Sequence, residues 1–333
     1  MSTEPPFFSV VIPAYNAGKF IAFTIGSVLR QTVQDFEIVV VNDGSTDDTR
    51  EILKGIADSR LRVVTQENGG ECVARNRGIK EARGRYIAFL DADDAWRPNH
   101  LEIVLKYIQK HADISWFATP PQKVPDIKPE ALTPAEDGGC TFANWYLEAY
   151  TIPASSSTVL ARELALAIPD LFPAGYKMYG DCIGWARLAK ECRWEAVIDA
   201  PTVLYRYWPG NASSVNNVWP HGERSEAVEM ALAKHAEMYR EADCPPEAKL
   251  YFKRFALGNW WMCITSAFLP GEWEPDLAAR RDVTGRAAAW WMHACVIFNR
   301  LSLSAMRWGV RMRKEAVLRK MRRMAKALKN SRK

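Results

Sequence analysis

Three aspartates, Asp91, Asp93 and Asp94, stand within four positions in the segment FLDADDAW. They follow an apolar run over residues 86–90 that is typical of a buried strand. Like charges this close raise one another's pKa unless a cation or hydrogen-bond donors compensate for them. A helix cap ahead of Pro98 explains one or two of these carboxylates but not all three. Alternating carboxylates suit a divalent cation, because hard oxygen ligands favour Mg²⁺ or Mn²⁺, which keep waters and bridge to substrate phosphates.

The elements that would position these aspartates alternate along the first hundred residues. Apolar runs predict strands over residues 8–12, 37–41, 61–65 and 86–90. Helical spacing predicts helices over residues 18–31, 46–57 and 71–82. Continuous β-branched runs separated by helices are typical of a parallel sheet covered on both faces, so the predicted fold class is α/β. Further on, the patterns predict strands over 155–160 and 203–207, a helix over 181–191 and a surface loop or lid over 119–139.

Polar side chains follow three of the predicted strands. They lie in the segments Pro13–Asn16, Asn42–Ser45 and Asp91–Asp94. In parallel α/β sheets ligands bind at the carboxyl ends of the strands, which is where these segments fall. Asn-Asp-Gly is a turn signal that accounts for Gly44 but leaves Asp43 at a strand end, able to accept hydrogen bonds from a base or a ribose. The sequence therefore predicts a ligand site at this edge of the sheet.

Arg75 lies near the start of the third predicted helix, in the segment ENGGECVARNRGI. One interpretation is a solvated arginine on a helix surface, which is the commoner case for a single arginine. The other is a buried guanidinium whose fork of N–H groups is aimed at a nucleotide. The residue types alone leave both open.

The bulk composition indicates an ordinary globular protein in a reducing compartment. The chain has 333 residues, of which 48% are hydrophobic and 25% are charged. Its seven cysteines include no C-x-x-C pair, which argues against a disulfide framework or a zinc site. The N-terminus lacks the basic start and long apolar core of a signal peptide, and no window reaches about 18 uninterrupted apolar residues. We therefore expect a cytoplasmic protein.

Four motifs occur in a fixed order along the chain: FSVVIPAYN, VVVNDGSTDDT, NGGECVARNRG and FLDADD. In their order and spacing they resemble the family 2 inverting glycosyltransferases of the GT-A fold, and the resemblance covers roughly residues 7–210. It implies a mostly parallel, Rossmann-like sheet flanked by helices. It also implies a nucleotide-diphosphate-sugar donor, most often a UDP-sugar, and a divalent metal cofactor, Mn²⁺ or Mg²⁺.

The resemblance also assigns roles to single residues. Tyr15 would stack on the base or flank it, and Asp43 and Arg75 would hydrogen-bond to the base. Asp91 would lie near the ribose, and Asp93 would ligate the metal under the diphosphate. The remaining residues that it assigns to donor binding are Pro13, Ala14, Asn16 and Ala92.

The family also requires a base, usually within a Glu-Asp pair at the start of a helix. The segment MYGDCIGWARLA keeps Asp181 but has Gly180 in the glutamate position. An N-cap for the predicted helix explains Asp181 equally well without the family, whereas with it Asp181 would deprotonate the acceptor hydroxyl. A second departure is Tyr207-Trp208, where the family often has a histidine after Tyr-Arg. This departure puts a histidine contact to metal or phosphate in doubt.

The positive charge of the chain is concentrated at its C-terminus. Its formal net charge is +5, yet residues 300–333 alone hold 13 Lys or Arg side chains against one acid, Glu315. With its apolar stripe, the segment 304–333 is predicted to form a basic amphipathic helix that binds an anionic membrane surface. The alternative is a helix that packs on the body and points its charges to water. Nucleic acid is not an expected partner, because no recognised module accompanies the charge.

These features together predict two domains and one activity. Residues 1–217 would form the GT-A domain, and residues 218–333 a helical extension. The chain would transfer a sugar to a hydroxyl of a lipid-linked or polysaccharide acceptor during cell-envelope glycan synthesis, as a peripheral protein at the inner face of the cell membrane. Two alternatives stay open: a nucleotidyltransferase, although IPAYNAGKF is a poor version of the basic Gly-rich loop it needs, and a sugar-nucleotide-binding scaffold that has lost its base.

Overall fold

A computed structural model describes residues 4–144, 154–176, 179–192 and 194–207, together with parts of 230–251. Up to residue 110 its strands and helices are β1 (Phe8–Ala14), α1 (Ile21–Leu29), β2 (Phe36–Asp43), α2 (Thr49–Lys54), β3 (Leu61–Gln66), α3 (Glu71–Glu81), β4 (Tyr86–Phe89), β5 (Ala95–Trp96) and α4 (His100–Lys110). After residue 110 they are β6 (Trp116–Ala118), β7 (Pro121–Val124), β8 (Cys140–Asn144), β9 (Thr158–Ala161), α5 (Arg162–Ala167), α6 (Gly180–Glu191), β10 (Trp194–Ile198) and β11 (Val203–Arg206).

The main sheet has eight strands in the order β3-β2-β1-β4-β9-β6-β10-β8. Its first half is parallel, because β1 pairs with β2 and β4, and β2 pairs with β3. Its second half is mixed, because β9 runs antiparallel to β4 and β6, and β8 runs antiparallel to β10. The predicted α/β fold, a large sheet flanked by helices, is confirmed. The strands β6, β8 and β10 were not predicted, and the strand predicted over 155–160 begins only at Thr158, after a short 3₁₀ turn.

Burial on both faces explains why the first strands are continuous apolar runs. Every residue of β1, β2 and β4 is buried. On one face, Val10 and Ile12 of β1 share a core with three residues of α1, namely Ile21, Ile25 and Val28. Strands with both faces covered have no need of polar positions, so their sequences show no alternation.

Helix α3 packs closely on β1, and Gly78 is the residue that allows it. A Cβ at Gly78 would lie 2.2 Å from Cγ1 of Val11, closer than real Cβ contacts. Because α3 follows β3 directly, it starts at the carboxyl edge of the parallel strands. The close packing on β1 therefore helps to fix the N-terminus of α3 at the edge where ligands bind.

A second sheet has three strands in the order β5-β11-β7. β11 runs antiparallel to β5 and parallel to β7. The prediction of a loop over 119–139 is wrong for residues 121–124, which form β7. Their composition is loop-like, but proline is tolerated at the first residue of an edge strand. Because β5 is the Ala95-Trp96 pair of FLDADDAW, this sheet also anchors the segment that carries the three aspartates.

The chain divides into two compact units, one formed by residues 1–219 with 237–252 and the other by residues 220–236 with 253–333. All of the strands and helices from β1 to β11 belong to the first unit. The predicted helical extension over 218–333 lies mostly outside the described residues, and the basic segment 304–333 lies wholly outside them. Within the described ranges, no helix has both the length and the apolar character needed to cross a membrane.

Replacing Gly78 with alanine tests the packing of α3 on β1. The new Cβ would displace the β-branched side chain of Val11 in a close-packed core, so the free energy of unfolding should fall by about 1–2 kcal/mol. Gly26 of α1 provides the control, because a Cβ there would meet the mobile end of Arg30 at 3.2 Å. The control variant G26A should leave stability unchanged or raise it by up to about 1 kcal/mol through helix propensity. Equal urea denaturation midpoints for G78A and G26A would contradict this account.

Candidate active site

The loops that follow β1 and β2 are tied together by Asn16. Its Oδ1 accepts a hydrogen bond from the Thr46 N–H at 2.8 Å, and its positive φ of 50° turns the chain sharply after β1. Beside it, Tyr15 keeps 51% of its surface exposed, whereas Pro13 and Ala14 are buried within the strand. The predicted donor segment therefore presents an aromatic ring at the strand end and uses Asn16 to join two loops.

Asp43 ends β2 and is buried. Its Oδ1 accepts hydrogen bonds from the Gln66 side chain at 2.7 Å and from the Gly69 N–H at 2.9 Å, and its Oδ2 accepts one from the Gly70 N–H at 2.8 Å. These bonds hold the turn from β3 into α3, which Gly70 completes with a φ of +87°. Asp43 thus orients the start of α3, and its contact with a base stays a prediction.

Arg75 is buried, so the interpretation of a solvated arginine is wrong. Its side chain is 3% exposed, and its Nη2 contacts the Glu71 carboxylate and lies 2.7 Å from Oδ1 of Asp91. The guanidinium carbon lies 5.6 Å from the centroid of the Phe172 ring. Burial alone would lower the pKa of Arg75, but the surrounding carboxylates raise it above its ordinary value. One permanent cation is therefore fixed between α3 and the end of β4.

Asp94 is the aspartate that folds the acidic segment. It is fully buried, and its carboxylate accepts hydrogen bonds from Ser156 Oγ at 2.5 Å and from the Arg206 N–H at 2.8 Å. Ser156 Oγ also accepts a hydrogen bond from the Asp91 N–H at 3.0 Å. Burial and repulsion from Asp91 and Asp93 raise the pKa of Asp94 well above its usual range, and its two hydrogen bonds oppose that rise. The negative charge of Asp94 is therefore stabilised by hydrogen-bond donors of the protein itself.

The main chain around Asp93 is held by side chains from two other elements. Nε of Arg206 donates to the Asp93 carbonyl at 2.9 Å, and the Thr24 hydroxyl lies 2.9 Å from the Ala92 carbonyl. Sequence reasoning missed Arg206, although the Tyr-Arg pair before Tyr207 was a signal for it. Tyr207 is 37% exposed, and Trp208 lies outside the described residues.

Glu71 is a further carboxylate of the site that sequence reasoning missed. It is the first residue of α3, and its side chain contacts Arg75 while keeping 56% of its surface exposed. The pKa of Glu71 is raised by loss of hydration beside Arg75 and by the charges of Asp91, Asp181 and Asp93, and the charge of Arg75 opposes the rise. Glu71 therefore reaches solvent at the carboxyl edge of the parallel strands. The region bordered by Glu71, Asp91, Asp93 and Asp181 is called the cleft below.

Asp181 lies in the first turn of α6, where its Oδ1 accepts a hydrogen bond from the Cys182 N–H at 2.8 Å. Tyr179, with a φ of 60°, occupies the N-cap position, so Asp181 is not the cap. A carboxylate in the first helical turn is favoured by the helix dipole. The neighbouring Gly180 packs against Cys72 of α3, and Asp181 raises the pKa values of Glu71 and Arg75, so Asp181 lies near the start of α3.

The chain ahead of α6 is fixed to α3 by Asn76. Its Nδ2 donates to the Phe172 carbonyl at 2.6 Å, and its Oδ1 accepts from the Phe172 N–H at 3.0 Å. Arg187 of α6 donates to the Leu171 carbonyl at 3.1 Å. These contacts explain how Asp181, more than a hundred residues after Arg75 in the sequence, comes close to it.

The carboxylates around Arg75 fit a hard divalent cation. Three aspartates raise the pKa of Glu71, and Arg75 is the cation that opposes them. The aspartates are Asp91, Asp93 and Asp181. Within the described ranges, no three or more His, Cys, Asp or Glu side chains are grouped so that they could hold a metal ion by themselves. That donor set suits Mg²⁺ or Mn²⁺ held by one or two carboxylates, with waters and substrate phosphates as the other ligands.

Comparison with known proteins identifies the first part of the chain. Residues 9–134 match the model of Glycosyl transferase family 2. This segment is a family 2 glycosyltransferase domain. The predicted family and the predicted enzyme class, a glycosyltransferase, are confirmed for this domain.

Curated relatives are similar over part of their length. An uncharacterized glycosyltransferase of Rickettsia bellii is 36% identical over 184 residues, which cover 55% of this chain and 26% of the relative. The enzyme of Escherichia coli named UDP-Glc:alpha-D-GlcNAc-diphosphoundecaprenol beta-1,3-glucosyltransferase WfgD is 42% identical over 104 residues, 31% of this chain and 41% of the relative. The chain thus spans less than half the length of the relatives it matches.

Solved glycosyltransferase structures share the fold. TarS 1-349 of S. aureus, in complex with UDP-GlcNAc, has a TM-score of 0.62 and 19% identity, covering 91% of this chain and 92% of its own. The mannosyltransferase PcManGT of Pyrobaculum calidifontis, in complex with GDP-Man and Mn²⁺, has a TM-score of 0.55 and 20% identity, covering 92% of this chain and 84% of its own. At these identities the likeness supports the GT-A fold alone.

Exchanging Asp94 and Asp93 for asparagine should separate folding from binding. Asp94→Asn replaces one carboxylate oxygen with an amide N–H₂ that faces the donor of either Ser156 or Arg206, so stability should fall by about 1–3 kcal/mol. The half-buried Asp93→Asn should stay within about 0.5 kcal/mol of the parent and lose Mn²⁺-dependent nucleotide binding. Urea denaturation and calorimetry measure the two effects, and equal destabilisation by both variants would contradict the assignment.

Proposed function

We propose that this chain is an inverting glycosyltransferase that moves a sugar from a nucleotide-diphosphate-sugar to a hydroxyl group of a glycan or lipid-linked acceptor in cell-surface glycan synthesis. The observation that carries the proposal is the convergence of three acidic side chains on one buried guanidinium. Glu71 comes from α3, as does Arg75 itself, Asp91 comes from the end of β4 and Asp181 from the start of α6. This set lies at the carboxyl edge of a parallel sheet, the usual place for a nucleotide ligand.

The donor would occupy the loops that follow β1, β2 and β4. The exposed ring of Tyr15 is available to stack on the base, and Asp43 and Arg75 lie on the two sides of the turn into α3. Asp91 would take the ribose and Asp93 would ligate the metal. A bound Mn²⁺ or Mg²⁺ would neutralise the charge that develops on the departing diphosphate.

Asp181 would act as the general base. It removes the proton from the acceptor hydroxyl as the oxygen attacks the anomeric carbon from the face opposite the diphosphate. The bond between the anomeric carbon and the diphosphate oxygen breaks with its electron pair leaving on that oxygen. One displacement of this kind inverts the configuration of the sugar.

The likeness to other proteins favours particular substrates. UDP-GlcNAc is bound in the TarS structure, and the name of the E. coli relative specifies a UDP-sugar donor and a diphosphoundecaprenol-linked acceptor. We take a UDP-sugar as the donor and a lipid-linked sugar as the acceptor. A lipid-borne acceptor would place the protein at the inner face of the cell membrane.

Nucleotide release from a panel of donors tests the proposed function. UDP-Glc, UDP-Gal, UDP-GlcNAc and GDP-Man are incubated with the protein and Mn²⁺, with and without an alkyl α-D-GlcNAc diphosphate as acceptor. Release of the nucleoside diphosphate from one donor supports the proposal. Binding without release would favour the scaffold, and formation of pyrophosphate from UTP and a sugar 1-phosphate would favour the nucleotidyltransferase.

Replacing Asp181 with asparagine tests its role as the base. Because the amide cannot accept the proton, transfer should fall by about 10²-fold or more, while the donor binds with near-normal affinity. Asp170→Asn is the matched control, since that exposed carboxylate pairs with Lys80 on the surface. Steady-state kinetics and donor titration measure the two quantities. Transfer by D181N at the parent rate would exclude Asp181 as the base.

Removal of residues 304–333 tests the membrane part of the proposal. Thirteen basic side chains in residues 300–333 would each contribute about 1 kcal/mol near an anionic surface. The full chain should float with phosphatidylglycerol vesicles but not with phosphatidylcholine vesicles, and less so at high salt because the surface field is screened within about 8 Å. The truncated chain should remain unbound. Flotation that the truncation leaves unchanged would rule out this segment as the anchor.

A further inference from the structure

Position 180 has no room for a side chain in this protein. A Cβ built on Gly180 would lie 2.3 Å from Sγ of Cys72 and 3.3 Å from Cβ of Tyr176. Cys72 is buried in the first turn of α3, so its thiol occupies the volume that a side chain at position 180 would need. The start of α6 therefore offers the cleft one carboxylate, that of Asp181.

The residue next to Cys72 carries a second carboxylate. Glu71 begins α3, directly across the contact with the start of α6, and its side chain is 56% exposed. It contacts Arg75 and experiences the charge of Asp181. A carboxylate that borders the cleft beside Asp181, and that solvent can reach, is able to contact a bound substrate.

The positive charge of Arg75 is also shared between two carboxylates, so it compensates Glu71 only in part. The same Nη2 atom of Arg75 serves both Glu71 and Asp91. The donor site accounts for Asp91 and Asp93 and the base for Asp181, so Glu71 is the carboxylate without a role.

We propose that Glu71 is the second acceptor-side carboxylate of the enzyme and that it binds the hydroxyl group adjacent to the one that Asp181 deprotonates. This proposal rests on the proposed function. When a sugar attacks, its nucleophilic hydroxyl gives its proton to Asp181, and the neighbouring hydroxyl donates a hydrogen bond to Glu71. When water attacks the donor, one O–H gives its proton to Asp181 and the other donates to Glu71. The acceptor class is therefore a sugar with two adjacent hydroxyl groups at the attacked position.

Moving the carboxylate from position 71 to position 180 tests this proposal. With the sugar nucleotide that the parent hydrolyses best, E71A should lower the rate of hydrolysis by about 10-fold or more and change the KM for the donor by less than about two-fold. Removing the thiol makes room at position 180, since no other atom of Cys72 lies within 4 Å of the added Cβ. The variant E71A/C72A/G180E should therefore recover at least half of the lost rate.

Two controls complete the design. C72A alone should retain the parent rate, because the thiol has no role in the reaction. E71A/G180E should stay impaired, because Cys72 still blocks position 180.

Each outcome bears on one claim. Hydrolysis by E71A within two-fold of the parent overturns the proposal, and so does a loss that appears in the donor KM. Impaired E71A without recovery in the triple variant, when that variant shows parent-like circular dichroism and melting, overturns the relocation of the carboxylate. A parent enzyme that hydrolyses none of the donors contradicts the proposed function itself.

Discussion

The guanidinium of Arg75 is the cation on which the arrangement of the site depends. Carboxylates from α3 and from the end of β4 meet at one nitrogen of Arg75, and Asp181 of α6 acts on the same group. Like charges from three elements would otherwise oppose the packing that brings them together. The remaining excess of negative charge is the reason why we propose that the cleft binds a divalent cation and hydroxyl groups that donate hydrogen bonds.

The remaining strand-end side chains act first as structural ties. Asp43 shapes the turn into α3, Asn16 joins the loops after β1 and β2, and Asp94 binds buried donors below the acidic segment. A site whose loops are fixed in this way needs little rearrangement when a nucleotide arrives, which reduces the entropy lost on binding. The aspartates of FLDADDAW thus divide into one that folds the segment and two whose carboxylates lie near the cleft.

Periodicity predicted the parallel half of the sheet well, because burial on both faces leaves continuous apolar runs such as that of β2. It failed for β6, which has only three residues, and for β7 and β10, which are not continuous apolar runs. The order of the motifs indicated Arg75 and Asp93 as site residues. No local pattern, however, indicated that Ser156 donates a hydrogen bond to Asp94, which lies 62 positions away in the sequence. Such contacts are created by sheet order, and sequence spacing does not encode sheet order.

Prediction of the functional residues from sequence meets the same limit, and Glu71 is the example. Its position in the segment NGGECVARNRG gave no signal, because a glutamate at the start of a helix is explained by the helix dipole alone. The contact between Cys72 and Gly180 shows that the starts of α3 and α6 pack against each other. The glycine at position 180, where the family usually has a glutamate, is therefore explained by Cys72, the residue that packs against it.

Calorimetric titration of UDP into the protein tests the central claim, that the carboxylates around Arg75 hold a nucleotide diphosphate through a divalent cation. One titration contains Mn²⁺ and the other contains EDTA. The account predicts saturable binding with one site per chain in Mn²⁺ and an affinity at least about 10-fold weaker in EDTA, because the acidic cleft repels the bare diphosphate. Equal affinity under the two conditions, or no binding in either, would contradict it.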